Sequence, residues 1–177
     1  LWPRVYRLRG SPNSEWQRVL GVCLHAGREA VASHRTAGWL WKLDGFAQAP
    51  RKIHVSAPHT RRLQLPGVEF FRRRQTLEEG FTLREAIPST VLTRTLSDLA
   101  GLLDEEGLEI ALDSAGRGDP EFLEQLAEFL GVDAGHGRKG NGLLARLVKE
   151  RRGMNATGSS FETRVLRAIR AAKLPRP

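Results

Sequence analysis

Hydrophobic positions change their spacing about halfway along the chain. Between Lys52 and Ala57 apolar and polar residues alternate strictly, which is the pattern of a strand with one buried face. From Thr90 onward leucines recur at three- and four-residue intervals, which is the pattern of an amphipathic helix; they are Leu92, Leu96, Leu99 and Leu103. The pattern predicts an α+β fold with a small, mostly antiparallel sheet and a helical C-terminal half.

Four segments have the composition of strands. Residues 4–10 contain Val5 and Tyr6 and end in a turn at Gly10, so we predict a short strand there. Residues 52–57, 67–75 and 81–90 follow as three further strands, and we expect these three to form the sheet. In residues 52–57 the alternation places His54 and Ser56 on the face opposite the apolar side chains.

Two helices are predicted in the N-terminal half. Ser14 is a suitable N-cap for a helix that ends at Gly27. Ser33 is a second N-cap, since its hydroxyl can accept from the free amides of a first turn, and that helix ends at Gly45. Its buried stripe comprises Ala37, Leu40 and Trp41. Three residues fall off this stripe and are candidates for contact with a partner protein: His34, Arg35 and Trp39.

The C-terminal half contains several helix start signals. Asp104 with its neighbouring acids, and Asp119 followed by proline, suit helix N-termini. The last helix has an apolar stripe and a basic stripe. The apolar stripe comprises Phe161, Val165, Ile169 and Ala172, and the basic stripe comprises Arg164, Arg167, Arg170 and Lys173. Arg94 and Asp98 lie four residues apart and are expected to form a structural clamp.

The charge balance narrows the classes of partner. The 177 residues carry a formal net charge of +8, and the sequence pI is about 10.7. Such a balance favours nucleic acid or acidic protein surfaces, although an arginine-rich composition also arises from coding bias. One cysteine excludes an intrachain disulfide and a cysteine zinc site, and fits the cytoplasm. No apolar run is long enough for a membrane span.

Candidate phosphate contacts are spread along the sequence. The basic runs near residues 61 and 72 and the arginines of residues 4–10 supply most of them. Gly135–Gly140 has the spacing G-x-G-x-x-G, but a helix precedes it, so a helix–helix connection is favoured over a phosphate loop. The predicted nucleic-acid contacts are Arg4, Arg7, Arg61, Arg62, Arg72, Arg73, Arg74, Arg138 and Lys139.

The sequence contains no convincing arrangement of catalytic residues. Ser33 and His34 are adjacent, and neighbours on a helix point in different directions, so they do not form a nucleophile and base pair. The five histidines lack the spacing of metal ligands, so no metal site is predicted. Ser159 and Glu162 form a capping box; the alternative is that Glu162 is a nuclease metal-binding acid, but no E-x-K or D-x-K follows it. We therefore predict no catalytic residue and no cofactor.

The order of the motifs resembles a known family. "VYRLRG", "ASHRTAGWLWKL", "IPSTVLTRTLSDLA" and "SSFETRVLRAIRAAKLP" occur in this order. They resemble the actinobacterial relatives of the AbiEi-type antitoxin and transcriptional regulator, many of which carry an endonuclease domain similar to the very-short-patch-repair nucleases. The resemblance covers nearly the whole chain.

The resemblance implies a domain organisation. Residues 1–10 are then the end of a winged-helix DNA-binding domain, residues 11–153 the antitoxin-like α+β domain, and residues 154–177 a linker and the first helix of a nuclease-like domain. It implies a cytoplasmic, non-catalytic scaffold region of a regulator in a toxin–antitoxin or phage-defence system. The implied partners are DNA and a nucleotidyltransferase-like toxin.

Two alternatives stay open. In one, the chain is part of a metal-dependent DNA endonuclease whose catalytic strands follow Pro177, with Glu162 as an acid and a divalent metal such as Mg²⁺. In the other, it is a basic structural module without a partner of its own.

Overall fold

The chain folds into two compact units. A computed structural model describes residues 5–58, 64–73, 80–119, 121–133, 138–152 and 160–172. The first unit, called here the sheet unit, comprises residues 1–42 and 46–95, and the second, the helical unit, comprises residues 43–45 and 96–177. The described residues form seven helices and one five-stranded mixed sheet, so the predicted α+β class is confirmed. Among the described residues, no helix has the length and apolar character that a membrane crossing requires.

The sheet is mixed. Its strands are β1 (Val31–Ala32), β2 (Ile53–Pro58), β3 (Val68–Arg73), β4 (Phe81–Arg84) and β5 (Ile87–Thr90). They lie in the order β3-β2-β1-β5-β4. β2 and β3 are parallel, as are β1 and β5, whereas β1 with β2 and β4 with β5 are antiparallel. The predicted predominance of antiparallel pairing is therefore wrong.

Residues 81–90 form a hairpin, although the pattern predicts one strand. β4 and β5 pair antiparallel across a two-residue turn. Glu85 and Ala86 form this turn with φ angles of 49° and 63°. Positive φ at both central residues is the geometry of a type I′ turn, which asparagine and glycine usually supply. The sequence did not predict this turn because neither asparagine nor glycine occupies its two central positions.

β2 is buried on both faces. Ile53 and Val55 are buried as predicted, but His54 and Ser56 are also buried, at 6% and 3% exposure. The prediction of a half-buried strand is therefore wrong. β2 is an interior strand of the sheet, and two helices, α1 (Glu15–Ala26) and α2 (His34–Leu40), both contact it, which explains the burial.

The first helix follows its sequence signals, whereas the segment before it does not. The Ser14 hydroxyl accepts from the amide of Gln17 at 3.3 Å. Gly27, with φ at 103°, ends α1 by donating to the Cys23 carbonyl. Both predicted caps are confirmed. Residues 5–8 form no strand, so the strand predicted over 4–10 is wrong in its described part, while the turn at Gly10 is present.

α2 is shorter than predicted. It ends at Leu40, and the Trp41 amide donates to the Ala37 carbonyl at 2.8 Å. Lys42 follows with φ at 56°, a left-handed conformation that stops the helix well before Gly45. Ser33 is the N-cap residue, but its side chain makes no capping hydrogen bond.

Four helices lie within the helical unit, together with the end of α3 (Leu92–Ala100). They are α4 (Glu105–Gly116), α5 (Phe122–Asp133), α6 (Asn141–Arg151) and α7 (Ser160–Ala171). Asp104 caps α4, and its carboxylate accepts from the Gly107 amide at 2.9 Å. The Asp119 carboxylate accepts from the Glu121 amide at 2.9 Å, just before α5. The predicted start of α4 is thus confirmed, whereas α5 begins at Phe122, three residues after the predicted N-cap Asp119. The core of this unit consists of fully buried leucines: Leu99, Leu108, Leu112, Leu126, Leu144 and Leu147.

Candidate functional site

Two buried histidines and a phenylalanine meet where α2 contacts β2 and β3. The His34 ring stacks on Phe71 with 3.6 Å between centroids and 21° between planes. The His54 centroid lies 5.2 Å from Phe71 and 6.0 Å from His34. Strand register explains the meeting, because His54 pairs with Glu69 and Ser56 with Phe71, which places these side chains on one face of the sheet. This aromatic cluster brings together two titratable imidazole rings in the sheet unit.

Ser33 and His34 contact each other, contrary to the expectation from helix geometry. The Ser33 Oγ and His34 Nδ1 atoms are 2.9 Å apart. His34 has φ at 49°, so it leaves the regular helical path and its ring turns back toward Ser33. The Ser33 side chain is nonetheless completely buried, so a substrate has no access to its hydroxyl. The contact between Ser33 and His34 thus stands at the start of α2, where the sequence predicts a hydrogen bond from a backbone amide to the Ser33 hydroxyl.

His54 is held by contacts on several sides. Its amide donates to Thr36 Oγ1 at 2.8 Å, and its Nε2 lies 3.7 Å from Glu69 Oε2. Burial lowers the pKa of the ring below its ordinary value. Glu69 opposes this change, and the positive charges of Arg35 and Lys52 add to it. The ring is therefore neutral near pH 7.

We expect His54 to make the stability of the fold pH-dependent. Because the folded-state pKa is lowered, the stabilisation is fully present above pH 6.5, the ordinary value. It is lost as the pH falls toward the folded-state pKa, since the unfolded chain binds the proton first. Urea unfolding at pH 7.5 and at pH 5 gives the loss of unfolding free energy between the two pH values. This loss should be smaller for His54→Phe than for the wild type, and the two losses should differ by at most about 1.4 kcal/mol per pH unit. Equal losses would contradict this assignment.

Positive charge is concentrated in the sheet unit. Its residue ranges contain sixteen Lys and Arg and six Asp and Glu, a net charge of +10. The residue ranges of the helical unit contain twelve Lys and Arg and fourteen Asp and Glu, a net charge of −2. Three exposed cations adjoin the aromatic cluster in sequence: Arg35 follows His34, Lys52 precedes β2 and Arg72 follows Phe71 on the edge strand β3. The excess positive charge of the whole chain thus belongs to one unit.

The predicted nucleic-acid contacts are divided between the two units, and several of them lie outside the described residues. In the sheet unit, Arg7 and Arg72 are exposed, as a phosphate contact requires. Arg73 is the last residue of β3, and its side chain lies outside the described part of the chain. Four further arginines also lie outside the described residues: Arg4, Arg61, Arg62 and Arg74. Arg138 and Lys139 belong to the helical unit.

Arg138 has an acidic neighbour. Its Nη1 lies 3.6 Å from Asp98 Oδ1, and the Asp98 side chain is 5% exposed. Asp98 is the residue predicted to form a clamp with Arg94. Lys139 is exposed and precedes Gly140, the N-cap residue of α6. The charge of Arg138 is therefore partly balanced within the helical unit, whereas Lys139 faces solvent.

The predicted partner-binding residues are mostly buried. His34 and Trp39 are each only 9% exposed. Trp39 packs on Trp16 with 4.3 Å between ring centroids. The expectation that these two side chains face solvent is wrong, because α2 is buried around nearly its whole circumference and not along one stripe. Arg35 is exposed as predicted.

The described residues contain little that could support metal or thiol chemistry. No group of three or more His, Cys, Asp or Glu side chains is placed to hold a metal ion in the described ranges. Cys23 is buried, and burial raises the pKa of its thiol to about 12. Glu162 is exposed on α7. Ser159, its predicted partner in a capping box, lies outside the described residues.

One buried charged cluster was missed by the sequence analysis. Glu109 and Asp113 of α4 are 2% and 6% exposed, and Arg151 of α6 is 9% exposed. Arg151 Nε donates to Asp113 Oδ1 at 2.5 Å. A sequence signal exists, since the two acids lie four residues apart among Leu108, Ile110 and Leu112 on a helix that is otherwise apolar there.

Comparisons with known proteins identified no relative. No family model, no curated protein and no solved structure matches the chain.

Proposed function

We propose that this chain is the non-catalytic scaffold region of an antitoxin-like transcriptional regulator, and that its sheet unit holds the nucleic-acid backbone. The observation that carries the proposal is the segregation of charge, with a net +10 in the sheet unit and −2 in the helical unit. Polyanions are attracted to such a surface, because each neutralised phosphate releases bound counterions.

Phosphate contact is favoured over recognition of bases. Four rings of the sheet unit are engaged with one another, because His34 stacks on Phe71 and Trp39 packs on Trp16, whereas Tyr6 beside Arg7 is 93% exposed. The exposed cations Arg35, Lys52 and Arg72 offer long, flexible side chains suited to phosphate oxygens. We therefore expect weak binding with little dependence on sequence.

The regulatory part of the proposal rests on the motif order that resembles the AbiEi-type antitoxins. Arg35 is the exposed residue of "SHRTAGWLW", so it is the position in that motif best placed to touch a partner protein. A nucleotidyltransferase-like toxin is the proposed partner. Co-purification with such a toxin, weakened by Arg35→Glu, would support this part; co-purification unchanged by the substitution would place the contact elsewhere.

Binding to two duplexes of unrelated sequence tests the nucleic-acid part. We expect equal affinities in a fluorescence anisotropy titration. For three phosphate contacts, raising the salt from about 50 to about 200 mM should weaken binding by about 40-fold. Tight binding to one sequence alone would contradict the proposal. Cleavage of either duplex with Mg²⁺ present would instead favour the endonuclease alternative.

A further inference from the structure

Several polar side chains connect α7 to α4. Thr163 is 1% exposed, and its hydroxyl donates to Asp113 Oδ2 at 2.8 Å. Arg167 and Arg170 lie 3.6 Å and 3.4 Å from the Glu109 carboxylate. Of the predicted apolar stripe, Val165 is 40% exposed, Ala172 is exposed and Ile169 is half-buried; the side chain of Phe161 lies outside the described residues.

Three guanidinium groups converge on one buried carboxylate. Arg151 of α6 lies 3.7 Å from Glu109, in addition to Arg167 and Arg170 of α7. The Glu109 side chain is 3% exposed. Without its charge, Arg167 would lose this carboxylate, while Arg151 and Arg170 would retain Asp113 and Glu150, so the attraction between α4 and α7 would weaken.

The contacts have a regular spacing on both helices. Arg164, Arg167 and Arg170 occur every three residues along α7, and Arg164 lies 3.1 Å from Glu106 of α4. Glu106 and Glu109 have the same three-residue spacing. The carboxylates of α4 thus meet a row of arginines, the residue type that binds carboxylates and phosphates alike.

We propose that α7 is a nucleic-acid-binding helix whose arginines are ion-paired with acids of α4 and with Glu150 of α6. When α7 leaves these acids, its arginines become available to a nucleic-acid backbone. The contact is suited to such an exchange, since ionic contacts are screened by salt and phosphates offer the same ligand chemistry as carboxylates. This inference is independent of the sheet unit, and it adds a second binding element to the chain.

Hydrogen–deuterium exchange of the full chain tests the inference, comparing the wild type with Glu109→Gln. We expect the amides of residues 160–172 to exchange at least about tenfold faster in the variant, because one buried charge partner is lost. A short duplex of random sequence should then slow these amides again in the variant, and have a much smaller effect on them in the wild type. Glu128→Gln, an exposed acid on α5, is the matched control and should leave residues 160–172 unchanged.

The readout is local, so its failure is distinguishable from failure of the proposed function. Binding by the sheet unit changes exchange in residues 31–73, whereas the inference concerns residues 160–172. If Glu109→Gln unfolds the helical unit as a whole, Arg170→Ala replaces it, and faster exchange confined to residues 160–172 is the expected result. Unchanged exchange of α7 in the variant used would overturn the inference. So would a duplex that leaves exchange of α7 unaltered in Glu109→Gln.

Discussion

Replacing Gly140 with alanine is expected to lower the free energy of unfolding of the helical unit by about 3 kcal/mol or more. Gly140 is the N-cap residue of α6 and has φ at 87°, a left-handed conformation that favours glycine. A Cβ at this position would lie 2.0 Å from the carbonyl oxygen of Ala100. Backbone cannot move aside as a flexible side chain does, so conformational strain and steric overlap act together.

Gly142→Ala is the control for this prediction. Gly142 lies two residues further along, in the first turn of α6, and a Cβ there meets nothing within 4 Å. Alanine has the higher helix propensity, so this variant should be neutral or more stable by up to about 1 kcal/mol. Urea unfolding followed by circular dichroism measures both variants. Similar stabilities for the two would show that α6 does not approach Ala100 as described.

Arg151→Met is expected to destabilise the helical unit by about 3 to 5 kcal/mol. Arg151 is 9% exposed and donates to Asp113 at 2.5 Å. Methionine replaces the aliphatic part of the arginine side chain but carries no charge. The Asp113 carboxylate would then stay buried with the Thr163 hydroxyl as its hydrogen-bond donor. An uncompensated buried charge is among the most destabilising single changes in a protein.

Arg146→Met provides the matched comparison on the same helix. Arg146 is half-exposed and lies 3.1 Å from Glu105 and 3.5 Å from Glu150. Exposed ion pairs contribute little, so we expect a loss of no more than about 1 kcal/mol. Urea midpoints that fall equally in the two variants would argue that the Arg151 network is not a determinant of stability.

The helices of this protein were largely predictable because their ends are marked by local chemistry. Ser14, Gly27 and Asp104 act within one turn of their own position, so the caps they predict do not depend on the rest of the fold. The same locality explains the failure at Ser33. There the positive φ of His34 brings the His34 ring within hydrogen-bond distance of the Ser33 hydroxyl, so the hydroxyl contacts the ring and does not cap the helix.

The sheet was less predictable because pairing is a long-range property. β2 and β3 are parallel although only residues 59–67 connect them, whereas parallel neighbours usually need a longer crossover. Burial of His54 follows from the interior position of β2 in the sheet and from the contact of α2, and neither can be deduced from strict alternation. Trp39 became a core residue for the related reason that Trp16 of another helix covers it.

The candidate site was predictable in charge but not in geometry. Composition indicates a polyanion partner, and the exposed positions of Arg7, Arg35 and Arg72 agree with that class of surface. Gly135–Gly140 matched a phosphate-loop pattern, yet Gly140 is required by its approach to Ala100. A close approach between segments that are distant in sequence cannot be predicted from the spacing of neighbouring residues.

The central claim is that the sheet unit supplies the nucleic-acid contacts, and the salt dependence of duplex binding tests it most directly. For Arg35, Lys52 and Arg72 all replaced by alanine, we predict that the slope of log K against log salt becomes shallower by about 2 to 3. The control replaces three exposed cations of the helical unit, Arg146, Lys149 and Arg152, and should keep the wild-type slope. An unchanged slope in the sheet-unit variant, or an equal change in both variants, would contradict the account.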